Sequence, residues 1–217
     1  MGCVLFVILP IRHIKFRINL VETKILIENI LIIFAEAFWI ISSFAQLKKL
    51  IKTRDTKGLY APTVVLNGAG NIAWVSYFAI QQLWVPFLTN IVSFGLTAIT
   101  LAYLLTNKKH FVKAIISIAI IGPLTAILII NYPDSSGWTA MIFNTIASTP
   151  WLIHIIRTKK TSGISEGSLF FVLSAITCTL IFGIMTWSVP LIAGCIQNTI
   201  YLVIIMIYYY RFRSKKN

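Results

Sequence analysis

Long apolar runs separated by short polar segments are the dominant pattern of this chain. Each run is close to the roughly 20 residues that a helix needs to cross the hydrocarbon core of a bilayer. The runs occupy positions 26–46, 59–81, 84–106, 111–131, 137–156, 166–186 and 189–210. The pattern therefore predicts an all-α integral membrane protein with seven transmembrane helices.

The first 25 residues fit this pattern less well. The apolar stretch from Val4 to Ile11 is too short to span a bilayer. Basic residues follow this stretch, whereas a signal peptide carries its charges in front of the apolar region. We expect residues 1–25 to form an N-terminal interfacial arm, or to be extra sequence ahead of the true start.

The composition supports a membrane protein and argues against a nucleic-acid partner. The chain is 58% hydrophobic and 12% charged, whereas soluble domains carry about 25% charged residues. The net charge of +13 would suit nucleic acid, but the basic residues form clusters between apolar runs instead of lining one polar face. The lipid bilayer is therefore the expected partner.

The distribution of basic residues predicts the orientation in the membrane. Fifteen of the 19 lysines and arginines lie in the loops after the first, third and fifth runs, in the immediate flanks of these loops, or in the tail at 211–217, and the loops after the other runs have none. Loops rich in these residues stay on the cytoplasmic side. We expect the amino end outside, a basic cytoplasmic tail, and a plasma or inner membrane. The basic residues of the N-terminal arm are the one signal against this orientation.

The chain also contains an internal repeat. The stretch Ser43–Tyr60 returns 105 positions later as Ser148–Ser165 with six identical residues and no gap. Because three helices end on the side opposite to where they begin, a further crossing is needed to make the two copies parallel. The predicted organisation is a first three-helix repeat at 26–106, a linker helix within 107–133 and a second three-helix repeat at 134–210.

Both copies resemble the PQ-loop, or SWEET, superfamily of membrane transporters. Each has a basic turn with a threonine and a glycine, preceded by an incomplete proline-glutamine pair at Ala45-Gln46 and at Pro150-Trp151. The first copy continues with a W-x-x-Y motif that begins at Trp74. The resemblance implies a 3+1+3 fold that works by alternating access, with Gln46 and Pro150 as hinge or motif residues. It also implies a sugar pocket that includes Trp74 and Asn90, whose places in the second copy are taken by Thr179 and Gly194.

The residue pattern itself indicates polar faces within the helices. Asn71 and Trp74 lie on one face of the helix predicted for the second run, and Asn144 belongs to a polar face of the helix predicted for the fifth run. Asn198 is one helical turn from Tyr201 in the seventh run. An amide that faced lipid would leave its hydrogen-bonding groups unsatisfied, so these side chains should face protein or a wet cavity. Each could simply join two helices by a hydrogen bond. Together, amides and indoles suit a neutral polyhydroxyl solute.

Glu36 is the only acidic residue well inside a predicted span. A carboxylate at that depth costs about 2.5–3.5 kcal/mol, so such residues often have a function. Proton coupling and a protonated, hydrogen-bonded packing role are both open for this residue.

These observations favour a transporter of a small neutral solute, foremost a sugar. The alternatives are a cystinosin-like, proton-coupled amino-acid carrier that uses Glu36, and a receptor or adaptor of the same fold that transports nothing. The sequence has no motif of an enzyme, a metal site or a cofactor site. Whether the chain forms a homo-oligomer is left open by the sequence.

Overall fold

The computed structural model describes residues 5–53, 61–106, 108–159 and 166–213, and these residues are almost entirely helical, with no strand. The α-helices in this part of the chain are α1 (Leu5–Thr53), α2 (Ala61–Ile80), α3 (Trp84–Leu105), α4 (Lys108–Asn131), α5 (Ser136–Thr158), α6 (Glu166–Met185) and α7 (Val189–Arg213). The predicted all-α class is therefore confirmed. The predicted turns with Gly58 and Gly163 lie outside the described residues.

The helices match the predicted spans in order. Helices α1 to α5 and α7 each contain a stretch long and apolar enough to cross a membrane, whereas the described apolar stretch of α6, Leu169–Met185, is shorter. Helices are expected here because backbone groups in lipid must find their hydrogen-bond partners within the segment itself. The chain is thus a multi-pass integral membrane protein.

Helix α1 is much longer than a membrane span. Its 49 residues correspond to about 74 Å at 1.5 Å per residue. The part that suits a membrane is Thr23–Ala45, and an ion pair between Lys24 and Glu28 of 3.5 Å lies at the start of this part. The predicted N-terminal arm therefore continues into the first span, with no break in the helix near residue 25.

The second and third helices of each repeat are joined by loops of the same geometry. Gln82 and Trp187, which are 105 residues apart, have left-handed backbones with φ of 56° and 55°. The next residues, Leu83 and Ser188, each donate a backbone hydrogen bond of 2.9 Å to the residue five positions earlier. This arrangement ends a helix by satisfying its last carbonyl groups. Residues 105 positions apart therefore correspond to each other in the third helices of the two repeats as well as in the second helices.

The six helices of the two repeats form a closed ring. Helix α3 packs between α1 and α2, and α7 packs between α5 and α6. Between the repeats, α1 packs on α6 and α2 packs on α5. The ring order is α1–α3–α2–α5–α7–α6, and the contact pattern of one half reproduces that of the other. This agrees with the predicted parallel pair of three-helix units.

Helix α4 lies outside the ring, against α2 and α3. It contains Pro123 without losing its helical assignment, and it connects the end of the first repeat to the start of the second. Its position fits the linker role predicted for residues 107–133.

Candidate functional site

The predicted site residues on α2 lie where both halves of the ring meet. Trp74 stacks on Phe78 with ring centroids 5.5 Å apart and contacts Tyr77 edge to face at 5.6 Å. It also packs against a cluster of buried residues from both repeats, here called the end cluster: Ile32, Ala35, Tyr77, Phe78, Phe182 and Leu191. Trp74 therefore has one face fixed by aromatic neighbours at the junction of the repeats.

Asn71, one turn before Trp74, joins α2 to α3. Its Nδ2 donates a hydrogen bond of 3.2 Å to Oγ1 of Thr97, and the Thr97 hydroxyl donates to the carbonyl of Ser93 at 2.9 Å. This is the interhelical hydrogen bond that the sequence left open as an alternative to ligand binding. Asn71 remains half-buried, and its side-chain oxygen is not used in this bond.

Asn144 lies in the contact between α5 and α2. A Cβ atom built on Gly70 would come within 3.0 Å of the Asn144 Cγ and 3.5 Å of the Ala140 carbonyl oxygen. A larger residue at position 70 would therefore displace the Asn144 amide from its present position. Asn144 on α5 lies beside Gly70, and Gly70 is next to Asn71 in α2. The Asn144 side chain is therefore at the same height along α2 as Asn71.

Asn90 and Asn198 lie on the third helices of the two repeats, and both side chains are half-buried. Nδ2 of Asn90 donates a hydrogen bond of 2.8 Å to the carbonyl of Pro86 on its own helix, which leaves its side-chain oxygen available. With the 105-residue offset that the loops define, Asn90 corresponds to Cys195, and Gly194 corresponds to Thr89. The sequence-based match of Asn90 with Gly194, which counted from the Val-Pro pairs Val85-Pro86 and Val189-Pro190, was therefore wrong by one residue. These two pairs lie at different distances from the loops.

Glu36 contacts α3. Its side chain is buried, with 6% of its surface exposed, and the Thr89 hydroxyl is its hydrogen-bonding neighbour on α3. The corresponding positions in the second repeat are Met141 and Gly194, and a Cβ atom on Gly194 would lie 3.6 Å from the Met141 Cγ. The Glu36–Thr89 and Met141–Gly194 pairs therefore occupy equivalent positions in the two repeats, but the first pair is polar and the second is apolar.

The structure adds a polar interface between α5 and α7 that the sequence reasoning missed. Thr145 donates a hydrogen bond of 3.0 Å to Oε1 of Gln197, and Thr149 and Tyr201 share one of 2.8 Å. The Nε2 atom of Gln197 is buried without a hydrogen-bond partner. The i, i+4 spacing within both pairs, Thr145 with Thr149 and Gln197 with Tyr201, was a signal that could have revealed this interface.

One end of the ring is closed by contacts between the repeats. The hydroxyl groups of Tyr77 on α2 and Ser188 before α7 are 2.6 Å apart in a buried hydrogen bond. A Cβ atom on Gly137 at the start of α5 would lie 2.9 Å from the Tyr77 ring and 3.0 Å from Pro190. The end that carries the α2–α3 and α6–α7 loops is therefore tightly packed.

The predicted hinge residues lie in the first helix of each repeat. Pro150 is inside α5, whose helical assignment continues through it, and the preceding residue is Thr149, which is bonded to Tyr201. The backbone of Gln46 belongs to α1, but its side chain lies outside the described part of the structure. Among the described residues no group of three or more His, Cys, Asp or Glu side chains could hold a metal ion.

Comparisons with known proteins agree with this architecture. Residues 27–87 match the family model of the PQ loop repeat. The fold is similar to that of a eukaryotic SWEET transporter of known structure, with a TM-score of 0.66, 11% sequence identity, and coverage of 88% of this chain and 99% of that chain. No curated protein matches the sequence. Residues 27–87 are thus similar to a PQ loop repeat, and the chain shares its fold with that SWEET transporter.

Proposed function

We propose that the protein is a membrane transporter that carries a small neutral solute, foremost a sugar, by alternating access between its two repeats. The observation that carries the proposal is the closed six-helix ring, in which two equivalent three-helix units enclose a common axis. Transporters built from parallel repeats bind their solute near the midplane and move the two units relative to each other. The similarity to a SWEET transporter supports the same conclusion.

The closed end supports the alternating-access part of the proposal. The Tyr77–Ser188 hydrogen bond joins the first repeat to the second, so the two units must separate there before that end can open. A single hydrogen bond contributes only about 0.5–1.5 kcal/mol. This hydrogen bond is therefore weak enough to be broken and remade during transport.

The side chains proposed to contact the solute are Trp74, Asn71, Asn90, Asn144 and Asn198. Amides both donate to and accept from hydroxyl groups, and the indole of Trp74 offers an apolar face to a sugar ring. The half-buried state of all five side chains fits contact with a small molecule. No carboxylate belongs to this set, which favours a neutral solute.

Glu36 supports a second candidate, a proton-coupled amino-acid carrier. The hydroxyl oxygen of Thr89, its partner, is also 3.1 Å from the backbone oxygens of both Val85 and Pro86. An ionised Glu36 can accept the Thr89 proton, and a protonated Glu36 can donate to Thr89 while Thr89 donates to its own backbone. The pair can therefore gain or lose a proton without losing its hydrogen bond.

Uptake by purified protein in liposomes tests the proposal. We expect uptake of labelled glucose or sucrose down its gradient that does not require a proton gradient, and empty liposomes serve as the control. Uptake of an amino acid that depends on an imposed proton gradient would favour the second candidate. Binding of a ligand without any flux would favour a receptor or adaptor.

A further inference from the structure

The proposed solute site has an aromatic wall on α2 but not at the equivalent place on α6. The residue that corresponds to Trp74 is Thr179. Its hydroxyl donates a hydrogen bond of 2.8 Å to the Ala175 carbonyl on its own helix, which makes it a small and internally satisfied side chain. The second repeat therefore supplies no ring at this position.

Trp39 on α1 lies close to this position. The α1–α6 and α2–α5 contacts are equivalent, and Asn144 faces Gly70 in the second of them. The corresponding residues at the α1–α6 contact are Trp39 and Ala175. By this equivalence Trp39 is placed opposite Ala175, which is one helical turn from Thr179.

Two observations support this alignment of α1 with α6. The rings of Phe38 and Phe171 are 5.9 Å apart, and Ala35 belongs to the same end cluster as Phe182. The segment 35–38 of α1 therefore lies along the segment 171–182 of α6, which contains Ala175 and Thr179, and Trp39 directly follows Phe38.

The α1 and α6 residues next to Thr179 are small. Ala35, which corresponds to Thr179 in the same alignment, and Ala175 are both fully buried. Long side chains on a helix lean toward its amino end, so we expect the indole of Trp39 to lean from the level of Ala175 toward the level of Thr179. Trp39 is half-buried and packs against a buried cluster of the second repeat that includes Ile176 on α6.

We propose that Trp39 is a second aromatic wall of the solute site and takes the place that Thr179 leaves open. Both indoles, Trp39 and Trp74, then come from the first repeat, and a sugar ring binds between them. The inference rests on the proposed function. It adds a specificity-determining residue that presents an apolar ring face to a neutral cyclic polyol.

The alternative role of Trp39 is to fill space between the repeats. A space-filling residue needs apolar volume, whereas a wall for a sugar ring needs a flat aromatic face. Trp39→Phe keeps an aromatic face, and Trp39→Leu keeps apolar bulk without one. Comparing these two variants separates the roles without removing most of the side chain.

The test is the concentration dependence of labelled glucose and sucrose uptake in liposomes for the wild type, Trp39→Leu, Trp39→Phe and Trp39→Leu/Thr179→Trp. A ring stacking contact is worth about 0.5–1.5 kcal/mol. We expect Trp39→Leu to raise KM by roughly twofold to twelvefold, as that energy implies, and Trp39→Phe to change it less. Adding Thr179→Trp to the Trp39→Leu variant should recover part of the loss. Trp84→Ala is the matched control, because Trp84 is exposed at the start of α3.

The outcomes separate the inference from the proposed function. A wild-type protein that moves neither sugar overturns both. Sugar uptake with an unchanged KM in Trp39→Leu, or no recovery in the double variant with Thr179→Trp, overturns the role of Trp39 alone. A lower melting temperature with an unchanged KM would show that Trp39 only fills space.

Discussion

The interface between the first and third helices differs in chemistry between the two repeats, although the backbone arrangement is the same. In the first repeat Glu36 and Thr89 form a polar pair, and the next two pairs of equivalent positions hold only apolar residues, Ile40 and Val92, and Phe44 and Leu96. In the second repeat the order is reversed, and an apolar pair is followed by two hydrogen-bonded pairs: Met141 with Gly194, Thr145 with Gln197, and Thr149 with Tyr201.

The comparison shows that the ring is set by helix length and small residues at close contacts, while the polar groups vary from one half to the other. Hydrogen bonds between membrane helices contribute only about 0.6 kcal/mol on average. Exchanging them for apolar contacts therefore changes the fold little. Their positions can instead serve a function that belongs to one half.

The largest effect is expected at the two residues of the first repeat that have no counterpart in the second. Trp74→Ala and Asn90→Ala should each abolish measurable uptake while expression stays intact, because the corresponding Thr179 and Cys195 cannot replace an indole face or an amide. Initial uptake rates in liposomes measure this. Trp84→Ala and Asn131→Ala are the controls, since both residues are exposed on other faces. Wild-type uptake in the Trp74→Ala/Asn90→Ala variant would show that the site is elsewhere.

The close contact between the repeats provides a second test. Gly70→Ala should destabilise the protein by about 1 kcal/mol, because the new methyl group would push the Asn144 amide out of its present position. Gly95 is a matched control on α3, since a Cβ atom there would meet no atom within 4 Å. Thermal unfolding in one detergent measures both variants. Equal stability of Gly70→Ala and Gly95→Ala would contradict the close α2–α5 contact.

The polar pair of the first repeat, Glu36 and Thr89, can be replaced by the equivalent apolar pair of the second repeat, Met141 and Gly194. Glu36→Met/Thr89→Gly removes a buried acid that costs about 2.5–3.5 kcal/mol if charged. We expect a folded protein that still transports if it is a facilitator, with uptake that changes little between about pH 5 and pH 8.

The single variant Glu36→Gln supports this test because it keeps the shape and hydrogen-bonding reach of the side chain. A wild-type pH dependence that disappears in Glu36→Gln would instead identify Glu36 as a proton-coupling residue. It would also mean that the two halves differ in function as well as in packing.

A smaller effect is expected in the hydrogen-bonded interface of the second repeat. Tyr201→Phe removes the bond to Thr149 next to Pro150, and should lower stability by about 0.6 kcal/mol. Thr199→Val is the control, because the Thr199 hydroxyl bonds only to its own backbone in the described structure. A loss in Tyr201→Phe no greater than that in Thr199→Val would show that this interface does not depend on its hydrogen bonds.

The smallest effect is expected for Thr179→Ala. The Thr179 hydroxyl is satisfied by the Ala175 carbonyl, so its loss frees no partner on another helix. Uptake should stay within roughly twofold of the wild type, a change of about 0.4 kcal/mol. A strong loss would mean that Thr179 contacts the solute directly.

Much of the fold could be predicted from the sequence because membrane helices are defined by the length of apolar runs, and the repeat was visible as Ser43–Tyr60 and Ser148–Ser165. The closed ring itself could not be predicted, since helix contacts depend on small residues such as Gly70 that carry no periodic signal. The register of α7 was also misjudged. The Val-Pro pairs suggested one alignment, but the loop hydrogen bonds define another, in which Thr89 and not Asn90 corresponds to Gly194.

The candidate site was predictable only in part. Intramembrane amides stand out in an apolar chain, which identified Asn71 and Asn144, but their partners Thr97 and Gly70 required the three-dimensional arrangement. Trp39 was missed because an aromatic residue in an apolar run looks like any other lipid-facing or core residue. Its position became informative only when its counterpart, Asn144, was seen to face the other repeat.

Counterflow is the measurement that tests the central claim most directly. Liposomes containing the purified protein are loaded with unlabelled glucose or sucrose and diluted into a trace of the same labelled sugar. A carrier that exposes one site alternately to either side predicts a transient accumulation of label above its equilibrium level, which the Trp74→Ala variant should lack. Uptake without this overshoot, or no uptake of either sugar, would contradict alternating access for a neutral sugar.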